Sequence, residues 1–374
     1  MRNTAVVLGI LLAFSLPFFA SAQATFEPDT ITMQKARVTA VVSESTEIIP
    51  GTETPAHLQT ISAEILEGSQ RGSVVTLDND YIQLEEDDVF YLRHITNGVD
   101  DADYYTVADP YRLPILAILA IVFLALLFFF GGLPGVRGLA ALAGSFLLIF
   151  FALIPGILSG YSPILISIGV SSLIIVLGSY ITHGFNRTTS AAVIGMIVTV
   201  LITGLGAYWA VEAAQLSGYT SDETVSLNFA SRGSIDMVGL LFGGIMIGLL
   251  GVLYDIAIGQ AISVEELFKA AGAHLPAGRQ VTPKEIYRRA LRIGREHIGA
   301  LVNTLAIAYV GASLPLFLLI QNATLSPLFL INSELLSTEI IRILVGSIGL
   351  ILAVPITTAI ATAILARRFS TERA

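Results

Sequence analysis

The chain has 374 residues, 54% of them hydrophobic and only 13% charged, against roughly 25% charged in an ordinary soluble domain; this excludes a simple water-soluble enzyme and a disordered chain. It has no cysteine, which excludes a disulfide scaffold, a thiolate metal site, an iron–sulfur cluster and a cysteine nucleophile. The formal net charge of -9 argues against nucleic acid as a partner. Gln23 to Arg112 carries 17 acids and 5 bases, whereas Leu113 to Ala374 carries 12 acids and 14 bases. An acidic, water-exposed domain joined to a membrane domain is expected.

Residues 1–22 read as a signal peptide. Arg2 supplies the positive start, an apolar run to Ala20 follows with Pro17 inside it, and Ala20-Ser21-Ala22 offers a small-residue cleavage site before Gln23. An uncleaved signal anchor is the alternative. Either reading places the acidic domain, residues 23–112, outside the cytoplasm.

From about Thr30 to about Val107 the pattern is β. Runs at 36–42, 57–66, 73–77 and 89–93 are β-branched or alternating, with turn signals at 68–72 and at Asp78-Asn79-Asp80. Five short strands at near-regular spacing suggest a small all-β, OB-like barrel, with a β-sandwich as the alternative. Two acid clusters follow, Glu85-Glu86-Asp87-Asp88 and Asp100-Asp101-Ala102-Asp103. Carboxylate oxygens suit calcium, but neither cluster has the EF-hand pattern, and a solvated loop is the favoured reading. His57 and His94 have no ligand spacing between them, so surface or packed roles are expected and no metal site is.

A membrane helix needs about 20 apolar residues. Seven such runs follow, at 113–131, 138–158, 163–181, 189–212, 235–257, 298–320 and 339–366. The expected fold is therefore a mainly α transmembrane bundle of seven spans, residues 113–366, behind a small extracytoplasmic all-β domain. A basic cytoplasmic loop, 258–297, lies within it, and a cytoplasmic tail, 367–374, ends it. With the N-terminal domain outside, 12 of the 14 bases of the membrane part fall on the cytoplasmic side, among them Arg137, Arg187 and Arg367, as the positive-inside rule requires. Arg232 and Arg342 fall near the outer ends.

An ionisable residue inside a span is costly and is a functional candidate by default. Asp255 is the first. At about 100° per residue it shares one narrow helix face with Gly244, Gly248 and Gly251; glycines so spaced let a neighbouring helix approach. A proton or cation site and a structural ion pair with a cytoplasmic arginine are the two readings. A second stripe joins Arg288, Arg292, Glu296, Gly299 and Asn303 on one face. Arg292 and Glu296 are four apart and can pair, Asn303 is expected to bond across helices, and His297 beside Glu296 offers a weak proton-relay candidate. Pro155, Pro315 and Pro355 interrupt spans. The segments around Pro315 and around Pro355-Ile356-Thr357-Thr358 are the strongest candidates for broken helices, where transporters often place ion and substrate sites; a plain kink is the alternative. In the cytoplasmic segment, residues 263–269 can form a short helix, 274–278 break it, and Thr282-Pro283-Lys284-Glu285 starts the next. No phosphate-binding glycine loop, zinc-protease motif or nucleophile elbow is present, so no cofactor is expected.

Three blocks carry a family resemblance. Residues 247–257, with Gly248-Leu249-Leu250-Gly251 and Tyr254-Asp255, and residues 293–315, with Gly294-Arg295-Glu296-His297 and Asn303, look like the YibE/F family of bacterial multi-pass membrane proteins. Val345-Gly346-Ser347-Ile348-Gly349-Leu350 with Val354-Pro355-Ile356-Thr357-Thr358 is similar as well. The likeness covers about Leu113 to Ala366. It implies a polytopic protein of the bacterial cytoplasmic (inner) membrane, of undefined molecular function, for which permease-like activity is often supposed. It also implies that Asp255, Glu296, His297 and Asn303 belong to a shared site. The segment 271–279 departs from the family in looking longer.

Three readings follow. The first is a secondary transporter or permease for a small solute or ion, with Asp255, Asn303, Glu296, His297, Arg292 and Thr357 as its ion-coupling candidates. The second is a receptor-like or membrane-assembly protein whose exported β domain binds a partner. The third is an intramembrane enzyme using Asp255 or Glu296 with His297. The lipid bilayer is the expected partner, and a homo-oligomer is a candidate assembly.

Overall fold

The computed structural model describes residues 29–49, 51, 53–98, 102–273, 282–321 and 325–371, with the side chains of 368–371 excepted. The expected signal peptide, the acids Asp100 and Asp101, and the helix break at 274–278 lie outside the described residues. The chain divides after Leu124 into two compact units.

The first unit contains one sheet of five strands, β1 (Thr30–Ile48), β2 (Pro55–Ile65), β3 (Val74–Asn79), β4 (Val89–Thr96) and β5 (Asp103–Pro110). The strand order is β3-β2-β1-β4-β5, and each neighbouring pair is antiparallel. β1 runs through the middle and is far longer than the expected 36–42 run, because both of its edges are paired. Its register slips between Val38 and Ala40 and again between Val41 and Ser43. Each bulge adds bend and twist, and the sheet curls until its outer strands approach: the Tyr105 hydroxyl of β5 donates to Gln70, in the β2–β3 turn, at 3.2 Å. The result is a half-barrel of OB-like type. Alternate residues face inward, as the two-residue strand period dictates. Ala36 and Val38, Ile61, Ala63 and Ile65, and Phe90 and Leu92 form the core.

The turn expected at Asp78-Asn79-Asp80 begins later, because β3 continues through Asn79. The Asn79 amide is buried; it donates to Gln59 at 3.1 Å and to the Ile82 carbonyl at 2.6 Å. Gln59 in turn donates to the Leu84 carbonyl at 3.1 Å. Two buried amides thus satisfy each other and pin the loop after β3, which turn statistics for an Asp-Asn-Asp run do not anticipate. Glu85 and Asp88 close a local turn, with the Glu85 N–H donating to the Asp88 carboxylate at 2.8 Å. Among the described residues no three His, Asp or Glu side chains gather as a metal site.

His94 has a packed role. Its ring stacks on Tyr105 at 4.7 Å between centroids, and its Nε2 donates to the Asp103 carboxylate at 2.7 Å. That hydrogen bond, and then one from Thr96, hold the Asp103 carboxyl below its usual 3.8. A carboxyl depressed by folding contributes stability above its unfolded value and loses it as pH falls through its folded value. The strands around Asp103 are therefore expected to loosen as pH drops below 3.8, and Asp103→Asn is expected to flatten this acid limb. Hydrogen exchange of β4 and β5 in the full chain, followed against pH, checks both.

The second unit is helical, entered by α1 (Leu113–Leu148), which starts in the first. A π-helical turn (Ile149–Leu153) and α2 (Ile154–Leu158) continue it. Then come α3 (Pro163–His183), α4 (Arg187–Ala213), α5 (Asp222–Ala230), α6 (Met237–Ala273), α7 (Pro283–Ala312), α8 (Leu314–Gln321), α9 (Pro327–Asn332) and α10 (Glu334–Thr371). Among the described residues five helices are long and apolar enough to cross a membrane, or six if α7 and α8, bent by 68°, count as one span. The count differs from the expected seven because the first two runs join in one stretch of 46 residues, Leu113–Leu158. That stretch is interrupted at Gly132, whose backbone (φ 55, ψ -149) is not helical, with Pro134 two residues on. A Cβ added at Gly135 would lie 3.1 Å from the Leu127 carbonyl oxygen. On a straight helix residues eight apart are separated by about 12 Å, so the chain bends sharply here.

The three prolines behave differently. Pro155 cannot donate, and the turn before it widens so that the Ile154 N–H reaches the Ile149 carbonyl. Pro315 stands at the start of α8, at the 68° bend. Pro355 does not break its helix. α10 runs through it from Glu334 to Thr371, since packing against α4, α6 and α7 holds this helix on several sides.

The core lies where α4, α6 and α10 meet, with α3 and α7 against them. α4 and α10 approach through two reciprocal contacts. On α4, Gly195 faces Thr357 of α10, and a Cβ there would lie 3.0 Å from the Thr357 Cα. On α10, Gly349 faces Thr203 of α4, with a Cβ 2.7 Å from its hydroxyl. α1 is the opposite case: no residue of it is buried, although it is rich in leucine, isoleucine and phenylalanine.

Candidate functional site

Asp255 lies on α6, four turns or so after the helix enters the core. It borders two cavities. The larger, about 490 Å³, is walled by the second half of α1, by α3 and by α6. The smaller, about 250 Å³, opens between α6 and α7 and is also bordered by Gln260, Ser263 and His297. Among the described residues the Asp255 carboxylate has no hydrogen bond and no ion pair, so the expected arginine partner is not found there. Its neighbour Tyr254 is anchored, donating from its hydroxyl to the Gly178 carbonyl of α3 at 3.3 Å. This fixes the backbone on which Asp255 stands.

The glycine face above Asp255 is only partly used. Gly248 meets the Tyr309 ring of α7, whereas Gly244 and Gly251 have open space where a side chain would be. Gly251 borders the larger cavity. Close helix contacts use other glycines instead: Gly243 against Ser167, and Gly294 against Gln260 and Val354.

His297 comes to the smaller cavity with Asp255. Its Nδ1 donates to the Ile293 carbonyl of its own helix at 3.0 Å, which leaves Nε2 as the proton-accepting nitrogen. Glu296 does not join it. Arg292, Glu296 and Asn303 stand on an exposed face of α7, and the Arg292–Glu296 pair is not formed among the described residues. The ion pair that α7 does make is Arg289 with Glu285, one turn nearer its start. Thr357 is fully buried at the Gly195 contact, and its hydroxyl has no hydrogen-bond partner; it borders neither of the two cavities beside Asp255.

Sequence reasoning missed Gln260. Its amide is buried and donates both to the Ala290 carbonyl of α7 and to the Thr358 hydroxyl of α10, each at 2.8 Å. One side chain on α6 thereby ties three helices together, directly below Asp255. The available signal was an amide in an apolar helix, five residues after the aspartate. A second missed contact is Glu339 with Arg342 on α10, paired at 2.8 Å and only partly exposed, with the arginine 5.7 Å from the Tyr309 ring. Gln260→Leu is expected to lower the stability of the bundle by about 1–2 kcal/mol, the usual range for interhelical polar bonds. Thermal unfolding in detergent, compared with wild type, checks it.

No curated protein and no solved structure matches the chain. The family of YibE/F-like proteins matches residues 119–367, which is the helical part of the molecule with its long apolar helices, and the chain therefore belongs to the YibE/F-like family of membrane proteins.

Proposed function

We propose that this protein is a secondary transporter or permease of the bacterial cytoplasmic membrane, with Asp255 as its ion-coupling residue. The observation that carries the reading is a carboxylate without a partner among the described residues, standing between two cavities on opposite sides of α6. Asp255 is exposed to the open space beside α6 rather than packed; a charge at membrane depth demands compensation, and no group among the described residues supplies it. A proton or a cation that visits both cavities in turn supplies it. His297, on the α7 wall of the smaller cavity, is a proton-accepting group that borders it together with Asp255. The rigid tie at Gln260 supports the reading as well, because a coupling group needs a fixed frame.

The membrane arrangement we infer has the β domain outside and the C-terminus inside. The 46-residue stretch is about 69 Å long at helical rise, more than twice the roughly 30 Å hydrocarbon layer. Two passes meeting at Gly132 account for that length and put Arg137 at the cytoplasmic surface, where the charge bias favours it. The absence of native cysteine makes this easy to test by single-cysteine labelling. Thr224→Cys is expected to react with a membrane-impermeant maleimide in intact cells, and Arg137→Cys only after permeabilisation. Labelling of Arg137→Cys from outside sinks the two-pass arrangement.

Transport itself is tested by proton or cation flux in sealed vesicles containing the purified chain. Asp255→Asn is expected to abolish the flux while leaving the thermal unfolding of the bundle within a few degrees of wild type. An absence of flux under every imposed gradient, with Asp255→Asn changing only stability, removes the transport reading.

A further inference from the structure

We propose that the larger cavity beside Asp255 is a binding site for an organic monocation, a ligand with an apolar body and a single positive charge. The proposal rests on the reading of Asp255 as a group that meets a cation, and it names the class of that cation.

The size of the space comes first. About 490 Å³ falls within the roughly 300–1,000 Å³ of small-molecule pockets. A hydrated or bare inorganic ion leaves most of such a volume unfilled. The walls come second. Phe146 of α1, Ile174 of α3 and Leu250 of α6 are among the residues that make them mainly apolar, so an apolar body gains by entering. The polar groups are few. Ser145 on α1 is one, its hydroxyl donating to the Ala141 carbonyl of its own helix at 2.9 Å; the others are Thr182, Asp255 and Tyr254, which bonds to the Gly178 carbonyl.

The charge comes third. Among the described residues Asp255 is the only carboxylate on these walls and no lysine, arginine or histidine lines them; the His183 ring lies behind the wall, 6.0 Å from that of Tyr254. An anion entering this space meets like charge in an apolar setting. A neutral ligand leaves the carboxylate uncompensated. A ligand with one positive end satisfies the carboxylate and the apolar walls together. The rings of Phe146 and Tyr254 on the same cavity also favour a cation over an anion. Gly251 belongs to the argument because nothing occupies the place of a side chain there; a larger residue at that position would fill the cavity next to the carboxylate.

The probe that tests this is tetraphenylphosphonium, with tetraphenylborate as a probe of nearly the same shape and opposite charge. Binding of the tritiated cation is measured on the full chain in phosphatidylcholine nanodiscs, with empty nanodiscs subtracted. Saturable binding of one cation per chain is expected. Asp255→Asn should weaken it by about tenfold or more, since one partner of a desolvated charge pair is lost. Ile174→Trp, which fills the cavity and leaves the carboxylate, should abolish it, and tetraphenylborate, measured alone in its own sample, should show no saturable binding. Binding that does not saturate, that is equal in Asp255→Asn, or that tetraphenylborate measured alone equals in affinity, overturns the proposal and leaves the cavity as a groove for a lipid chain. The comparison of the two probes uses the wild-type chain, so it decides the matter even if a variant does not fold. The transport reading fails separately: saturable, Asp255-dependent binding without flux in vesicles removes transport and keeps the site. Flux without binding keeps transport and removes the organic cation.

Discussion

The reciprocal contact between α4 and α10 is the constraint on which the bundle depends. Each helix offers a glycine to the other's threonine, Gly195 to Thr357 and Gly349 to Thr203, eight residues apart on both. Helices inside a bilayer gain no hydrophobic energy from meeting, because lipid chains are as apolar as leucine. Close packing has to come from small residues that let backbones touch. Two contacts two turns apart fix both the distance and the crossing of the pair, where one would leave a pivot. α6 then packs against both helices, with Phe242, Met246, Leu249 and Leu253 fully buried or nearly so. Gln260 closes the arrangement by binding α7 and α10 from the same helix.

Because α6 spends one side on that core, its opposite side is free to be something else. Gly244, Gly251 and Asp255 all fall there; both glycines face open space, and Gly251 and Asp255 border the larger cavity. The same helix is therefore closely packed along the core and open beside Asp255, where the larger cavity lies on one side and the smaller, bordered also by Gln260, on the other. The carboxylate stands on the open side of α6, while the frame behind it is packed closely and tied through Gln260. Every kilocalorie of strain or unpaired polarity in the core would compete with the cost of holding the charge, which in a membrane interior is already several kcal/mol or of that order.

Much of this was legible in the sequence, and the reasons differ by element. The half-barrel was readable because a two-residue period survives whatever the strands pair with: Ile61, Ala63 and Ile65 announce an inward face on their own. The lengths of the strands were not, since β1 extends to 19 residues only through pairing on both edges, and Asn79 stays in β3 only through its buried bond to Gln59. The long apolar helices and the family were readable from composition and from blocks of residues. Asp255 stood out because charge inside a span is rare. The glycines were harder. A glycine row on one face says that a neighbour can approach, and not that one does; Gly243, Gly294, Gly195 and Gly349 carry the contacts, and no spacing rule separates them from Gly244. Pro355 shows the same limit from the other side, since a residue that ends an isolated helix is carried through by three neighbours.

The polar stripe on α7 shows how one chemical pattern divides between roles. Arg292 lies one turn before the adjacent Glu296 and His297, and an i, i+4 pair was the economical expectation for the first two. The helix instead turns Ala290 and Gly294 inward, because Gly294 must sit against Gln260 and Val354. That choice of buried face sets the rotation of everything else on α7. Arg292 and Glu296 are carried outward, and His297 is carried to the edge of the cavity that Asp255 borders. His297 and Asp255, which the family resemblance already grouped, thus come to one cavity on helices whose rotation is set with Gly294 against the amide of Gln260, the one residue of this set that sequence reasoning passed over.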